Sequence, residues 1–196
     1  MYQIISAVRQ AVPIHIPVSA KIRLGYTDAS RMDDIRGAIA DSGADWLTIH
    51  ARTKTQGYKP PAYWEKIQRF NALDIPVIAN GEIWNAEHGQ NCMIQAGTQH
   101  LMLGRGAVTR PDLIAQVDTY NNDIETLTVL AWENLITHQI KFLEGVAKSD
   151  VVLVGRYKQW LAMLTKGYGE AKILWDRIKR EKNKTVIINA LQTSVR

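Results

Sequence analysis

Ile75-Pro-Val-Ile-Ala-Asn-Gly-Glu-Ile83 and its echo His100-Leu-Met-Leu-Gly-Arg-Gly-Ala107 decide how this chain reads. Each is a short apolar run that ends in a glycine turn and is followed by helix-like sequence. A strand buried on both faces in a parallel sheet has this appearance, because crossover helices cover both sides. Asn80-Gly81-Glu82 and Gly104-Arg105-Gly106 stand about 24 residues apart, the spacing of one βα unit to the next. Glycine lets backbone approach a ligand, and the amides that open a helix favour an anion. Two such corners on neighbouring strands, one carrying an arginine suited to bidentate pairing, point to a phosphate held between them.

Working outward, the same pattern repeats. Val18–Leu24, VSAKIRL, is a strand whose alternation places Ser19, Lys21 and Arg23 on one side. Lys21 must snorkel, meet an anion or pair with a carboxylate such as Asp45. Trp46–His50 is a second strand, followed by the polar loop ARTKTQGYKPP. Expected helices run from Tyr2 to Ala11, from Arg31 to Ser42 and from Tyr63 to Ala72. Asp28 or Ser30 would cap the second, with Gly43 at its end, and Asn85 would cap the helix that finishes near Gly97. Pro111 stands near the first turn of a further helix that closes around Tyr120.

One helix followed by four βα units makes a parallel α/β fold with right-handed crossovers. Four units are half of a (β/α)8 TIM barrel, which needs about 250 residues; an open four-stranded sheet is the alternative. After Glu125 the pattern becomes helical: Thr128–Glu144 with Leu127, Leu130, Ala131, Leu135 and Phe142, then Val151–Tyr168 with Tyr157, Leu161, Leu164 and Tyr168 as its apolar stripe. Glu170–Lys182 and Thr185–Thr193 follow, although Val186-Ile187-Ile188 would also suit a strand. The expected organisation is a half-barrel over 1–122 and an all-α helical bundle over 123–196.

Charge divides the chain at the same place. Residues 1–124 carry 12 Lys/Arg and 12 Asp/Glu, whereas residues 125–196 carry 12 and 7, so the whole net charge of +5 sits in the second part. A neutral first part and a basic second part fit chemistry in one and a polyanion on the other. No apolar run reaches the roughly 20 residues of a membrane span, and the first residues lack a signal peptide's apolar core. The single Cys92 excludes an internal disulfide and fits a reducing cytoplasm.

Four segments taken together, AKIRLGY (20–26), TIHARTKTQGY (48–58), IPVIANGEI (75–83) and LGRGA (103–107), resemble the bacterial tRNA-dihydrouridine synthases. The downstream helix reading GRYKQWL places the resemblance nearest the family's C subfamily. It implies an FMN-binding barrel with a helical domain, reducing a tRNA D-loop uridine, at position 16 in that subfamily, with NADPH as reductant. Carried over residue by residue, Lys21 and His50 lie by the flavin ring, and Asn80, Gly81, Glu82, Gly104 and Arg105 grip its phosphate. Glu82, being acidic, would contribute its backbone N–H. Tyr58, Arg156, Lys158, Trp160 and Lys179 match tRNA-contacting positions.

The family's general acid is a cysteine in an Asn-Cys-Gly-Cys-Pro type loop, and no such loop occurs in this sequence. Cys92 reads instead as a small buried residue within a helix. By resemblance Met1 matches an interior methionine just before the family's fifth barrel strand, so a complete site would need the N-terminal half of the barrel, from the same gene or a separate chain. Three other readings stand beside this one. They are a non-catalytic RNA-binding module, a different FMN barrel oxidoreductase acting on a small molecule, and the product of a truncated reading frame.

Overall fold

The computed structural model describes residues 1–121, 129–145 and 149–194. Its order is α1 (Tyr2–Ala11), β1 (Ser19–Arg23), α2 (Met32–Ala40), β2 (Trp46–His50), a 3₁₀ helix (Trp64–Phe70), β3 (Val77–Asn80), α3 (Ala86–Ala96), β4 (His100–Met102), α4 (Arg105–Thr109), α5 (Leu113–Asn121), α6 (Trp132–Glu144), α7 (Asp150–Leu164), α8 (Gly169–Ile178) and α9 (Lys184–Gln192). The chain forms two compact units, Met1–Gly104 and Arg105–Arg196. That division falls before α4, earlier than the 122/123 boundary expected from composition. The boundary itself, with Leu127 and Thr128, lies outside the described residues.

In the first unit all four strands are parallel and run in the order β1-β2-β3-β4. Their register aligns Arg23, His50, Asn80 and Met102 in one rung across the carboxyl end of the sheet. β2 is inside on both faces, with Leu47, Thr48, Ile49 and His50 all buried, as its unbroken apolar character requires. Leu24, Met32, Ile39, Ile67, Phe70, Ala79, Cys92 and Ala96 complete this core.

Local chemistry explains where elements start and stop, and where they depart from expectation. Asn85 caps α3 by accepting from the His88 amide, and Gly97 closes it at φ +64°. Asp28 does not cap α2. Its carboxylate takes the Ser30 amide at 2.9 Å and the Ser30 hydroxyl, closing a turn one step upstream, so α2 starts at Met32 without a side-chain cap. Those two Ser30 bonds hold the Asp28 carboxyl below its ordinary pKa. α2 ends on Asp41 rather than Gly43. The expected α-helix over 63–72 is instead a seven-residue 3₁₀ helix. Rising about 2.0 Å per residue against 1.5 Å, the tighter helix returns the chain to β3 with fewer residues.

The second unit has its own core: Trp132, Leu135, Leu143, Tyr157, Leu161, Leu164, Leu174, Ile187 and Leu191. Tyr157, Leu161, Leu164 and Tyr168 are buried as the stripe requires. Ala131 is exposed, because it is the N-cap position of α6 rather than part of its apolar face. Val186, Ile187 and Ile188 belong to α9, which Asn183 caps by accepting two backbone amides. Among the described residues no helix is long and apolar enough to cross a membrane.

Cys92 lies wholly inside α3's packed face, and burial pushes its thiol up to about 12. The folded chain is therefore expected to resist iodoacetamide at pH 8 and to label rapidly in guanidinium; mass spectrometry before and after denaturation reads the difference. Rapid labelling of folded protein would contradict the burial.

Candidate functional site

The carboxyl ends of the parallel strands assemble the polar groups. Lys21 is exposed and donates from Nζ to Asn80 Oδ1 at 3.2 Å, reaching across β2. Asn80 Nδ2 donates to the Met102 carbonyl at 2.6 Å, so one amide links β1, β3 and β4 and its orientation is fixed at both ends. Lys21 has no bond to Asp45. That carboxylate sits at the other end of β2, accepting from Arg9 at 3.2 Å and from the Val18 amide at 2.6 Å.

The Asn80-Gly81-Glu82 corner has two successive residues at positive φ, Gly81 at +120° and Glu82 at +60°. A Cβ on Gly81 would come within 2.8 Å of His50 Cδ2, so only glycine lets the corner lie against the imidazole. Glu82 is an L-residue in a region that costs about 1 kcal/mol, and its side chain is held accordingly. Arg52 Nη2 donates to Glu82 Oε2, and Trp84 Nε1 donates to Glu82 Oε1 at 2.8 Å. Trp64 Nε1 donates to the Gly81 carbonyl at 2.7 Å. Arg52 is completely buried, with Nε on the Pro61 carbonyl at 3.1 Å and Nη1 3.3 Å from His50 Nε2. A guanidinium can only donate, so that contact makes Nε2 the accepting nitrogen of His50.

Arg52, Trp64 and Trp84 were not among the residues singled out from sequence. An arginine inside the polar run ARTKTQGY looks solvated, and only the fold shows that Glu82 turns back onto it. Gly104 follows β4 on the adjacent strand with open space around its Cα. Here glycine leaves room without being demanded by the backbone. Arg105 opens α4 at the start of the second unit.

Beside this corner an open cleft of roughly 650 Å³ is lined by Lys21, Arg23, Tyr26, His50, Lys54 and Tyr58, among others. Tyr58 is 63% exposed, and its ring lies 5.8 Å from that of His50 and 5.4 Å from the Arg23 guanidinium. Arg23 also donates to the carbonyls of Thr53 and Gly57, both at 2.9 Å, fixing the loop that presents Tyr58.

In the second unit the expected tRNA-contacting residues divide. Arg156 is exposed on α7. Trp160, matched to a tRNA-contacting position, is half-buried, its ring 5.5 Å from Phe142 and 6.5 Å from Tyr157. The aromatic cluster of the core recruits it. Lys158 donates to the Lys179 carbonyl at 3.0 Å and to the Glu181 carbonyl, and the Lys179 ammonium lies 2.8 Å from Asp176.

Ligands of parallel α/β folds bind outside the carboxyl ends of the strands, and the polar rung, the glycine corner and the cleft all lie there. The Dihydrouridine synthase (Dus) family model matches residues 1–192, and the chain belongs to that family. It is 42% identical to the tRNA-dihydrouridine(16) synthase of Pseudomonas syringae pv. tomato, over 92% of this chain and 58% of that protein. With the protein of the same name from Shewanella oneidensis it shares 39%, over 98% and 60%. With that of Escherichia coli O157:H7 it shares 38%, again over 98% and 60%. The chain thus spans about three fifths of the length of these relatives.

Proposed function

We propose that this chain forms the FMN-phosphate side and the tRNA-binding helices of a cytoplasmic tRNA-dihydrouridine synthase that reduces uridine 16 of the D-loop with NADPH. On this reading the four βα units are half of a (β/α)8 barrel, and α6–α9 are the helical bundle. The observation that carries it is the Lys21–Asn80 bond above the Gly81 corner. An ammonium, an amide and a close-approach glycine stand together at the carboxyl end of the sheet.

This donor set suits FMN, whose ring gains negative charge on reduction and whose tail is a phosphate. Lys21 and His50 would lie by the ring. Asn80, Gly81, the Glu82 backbone N–H, Gly104 and Arg105 would hold the phosphate. The Glu82 carboxylate faces Arg52 and Trp84, so its repulsion is directed away from an anion. Bound FMN would supply the hydride that it accepts from NADPH, the cofactor's share of the chemistry. The chain's own share is to keep a fixed cation beside the electron-rich ring and to seat the uridine, Tyr58 offering an exposed face for stacking.

The proton must come from elsewhere. Cys92 is buried and its thiol is held protonated far above neutral pH. We assign the general acid, and the remainder of the flavin pocket, to the portion of the relatives that this chain does not span.

The 196-residue polypeptide, given FMN, NADPH and unmodified tRNA transcript, is expected to bind the tRNA and to form no dihydrouridine. Gel shift across a salt series and nucleoside mass spectrometry read the two outcomes. Binding should weaken steeply with salt, since phosphate contacts release counterions. Dihydrouridine made by this chain alone would overturn the assignment of the acid. Salt-insensitive or absent tRNA binding would overturn the assignment of the helices.

A further inference from the structure

We propose that Arg52 is a positioning residue for His50: its buried guanidinium holds the imidazole uncharged with the proton on Nδ1, so that His50 meets a bound flavin as an N–H donor. The flavin half of this rests on the reading of the site given above.

His50 and Arg52 stand two residues apart where β2 ends, and the backbone that joins them is tied to its neighbours. The Ala51 amide donates to the Asn80 carbonyl at 2.9 Å, the Arg52 amide to the His50 carbonyl at 2.6 Å and the Leu24 amide to the Arg52 carbonyl at 3.1 Å. The guanidinium directs its three nitrogens to three different acceptors: Nε to the Pro61 carbonyl, Nη2 to the Glu82 carboxylate and Nη1 to His50 Nε2. Glu82 is itself held by Trp84, so the fork is anchored at two of its nitrogens besides the one that meets the ring. Gly81 closes on the same edge of the imidazole, where a Cβ would come within 2.8 Å of Cδ2 and 3.1 Å of Nε2.

A guanidinium can only donate. A proton on Nε2 would set two donors against each other 3.3 Å apart inside the fold, and a buried donor without an acceptor is costly. An imidazolium would also add a second buried cation beside the single Glu82 carboxylate. With Nε2 accepting, the proton of the neutral ring is on Nδ1, at the opposite edge, since the partner of one ring nitrogen decides the form of the other. His50 lines the cleft that also holds Lys21. The two side chains then divide the work at a bound flavin: the ammonium supplies positive charge, and His50 supplies a hydrogen bond to an acceptor atom.

Long-range proton–nitrogen correlation spectra of the nitrogen-15-labelled full chain, at pH 7.5 with no flavin added, read the tautomer directly, because a protonated ring nitrogen resonates far upfield of a bare one. His50 is identified as the histidine whose signals vanish in His50→Gln. The wild-type chain should show a bare Nε2 and a protonated Nδ1. In Arg52→Met/Glu82→Gln, which removes the guanidinium and its counter-charge together, the proton should shift to Nε2, the form a free imidazole favours. A protonated Nε2 in the wild-type chain would overturn the proposal, whether or not the variant folds. A double variant that is folded by circular dichroism and keeps its proton on Nδ1 would overturn it as well, since Arg52 would then only fill space. Millimolar FMN added to the wild-type sample should shift the His50 Nδ1 proton resonance. No shift, with the tautomer intact, would remove the flavin reading and leave the hold of Arg52 on His50 standing.

Discussion

Arg52→Met is expected to destabilise the first unit by about 3–5 kcal/mol, the cost of leaving one member of a buried ion pair without its partner. The guanidinium has no solvent exposure, and the Glu82 side chain is only 21% exposed. Methionine fills part of the volume but donates nothing. The Glu82 carboxylate would keep only Trp84 among the donors described above, and the Pro61 carbonyl and His50 Nε2 would both lose the guanidinium. Glu82 also holds a positive φ that its bonded side chain helps to enforce, so the corner should relax along with the pair. Urea titration of the full chain by circular dichroism measures the loss. The double variant Arg52→Met/Glu82→Gln should recover a substantial part of it, because the stranded charge is then gone. A loss under about 1 kcal/mol, or no recovery, would mean that the pair is not what holds the corner.

The strands were legible because burial on both faces writes itself into composition: WLTIH and IPVIAN admit few polar residues, and the βα spacing fixes their order. Caps set by a single local residue were legible as well, as Asn85 and Gly97 show. What escaped was contact between residues far apart in sequence. Arg52 meets Glu82 thirty residues later, and nothing within the polar loop distinguishes a buried arginine from a solvated one. Trp64 and Trp84 carry donors to the glycine corner, but each alone is an unremarkable aromatic. The same blindness applies to α7, whose sequence could not say that the Lys158 ammonium bonds to the backbone carbonyls of Lys179 and Glu181. Phe142, whose ring helps to half-bury Trp160, likewise lies on another helix. Asp28 shows a different failure, a local competition between two turns whose outcome depends on a Ser30 hydroxyl.

Asp112→Ala should be the most damaging single change in the second unit, at about 3 kcal/mol or more. The Asp112 side chain is 3% exposed and gathers four donors: Arg110 Nε at 3.0 Å, Arg110 Nη2 at 2.6 Å, Gln116 Nε2 at 2.8 Å and the Leu130 amide at 2.8 Å. It thereby ties the start of α5 to the strand-like approach to α6. Arg110 extends the network, lying 4.4 Å from the Tyr168 ring centre and donating to the Gly167 carbonyl at 3.1 Å. Gly167 has to be glycine for this, since a Cβ there would meet the Thr109 carbonyl oxygen at 2.5 Å. Burial by itself would raise the Asp112 carboxyl, but the Arg110 bonds and the Leu130 amide outweigh it and hold the pKa below the ordinary carboxylate value. A depressed folded pKa means that the unfolded chain binds the proton more readily. The stabilisation is therefore complete above the unfolded value of about 4 and is lost as pH falls through the folded value. Wild-type stability should thus drop on acidification below about pH 4, and the gap between wild type and Asp112→Asn should be widest near pH 7 and narrow in acid. Urea midpoints at pH 7, 5 and 3 decide it: a gap that stays constant would mean that Asp112 acts through packing and not through its charge.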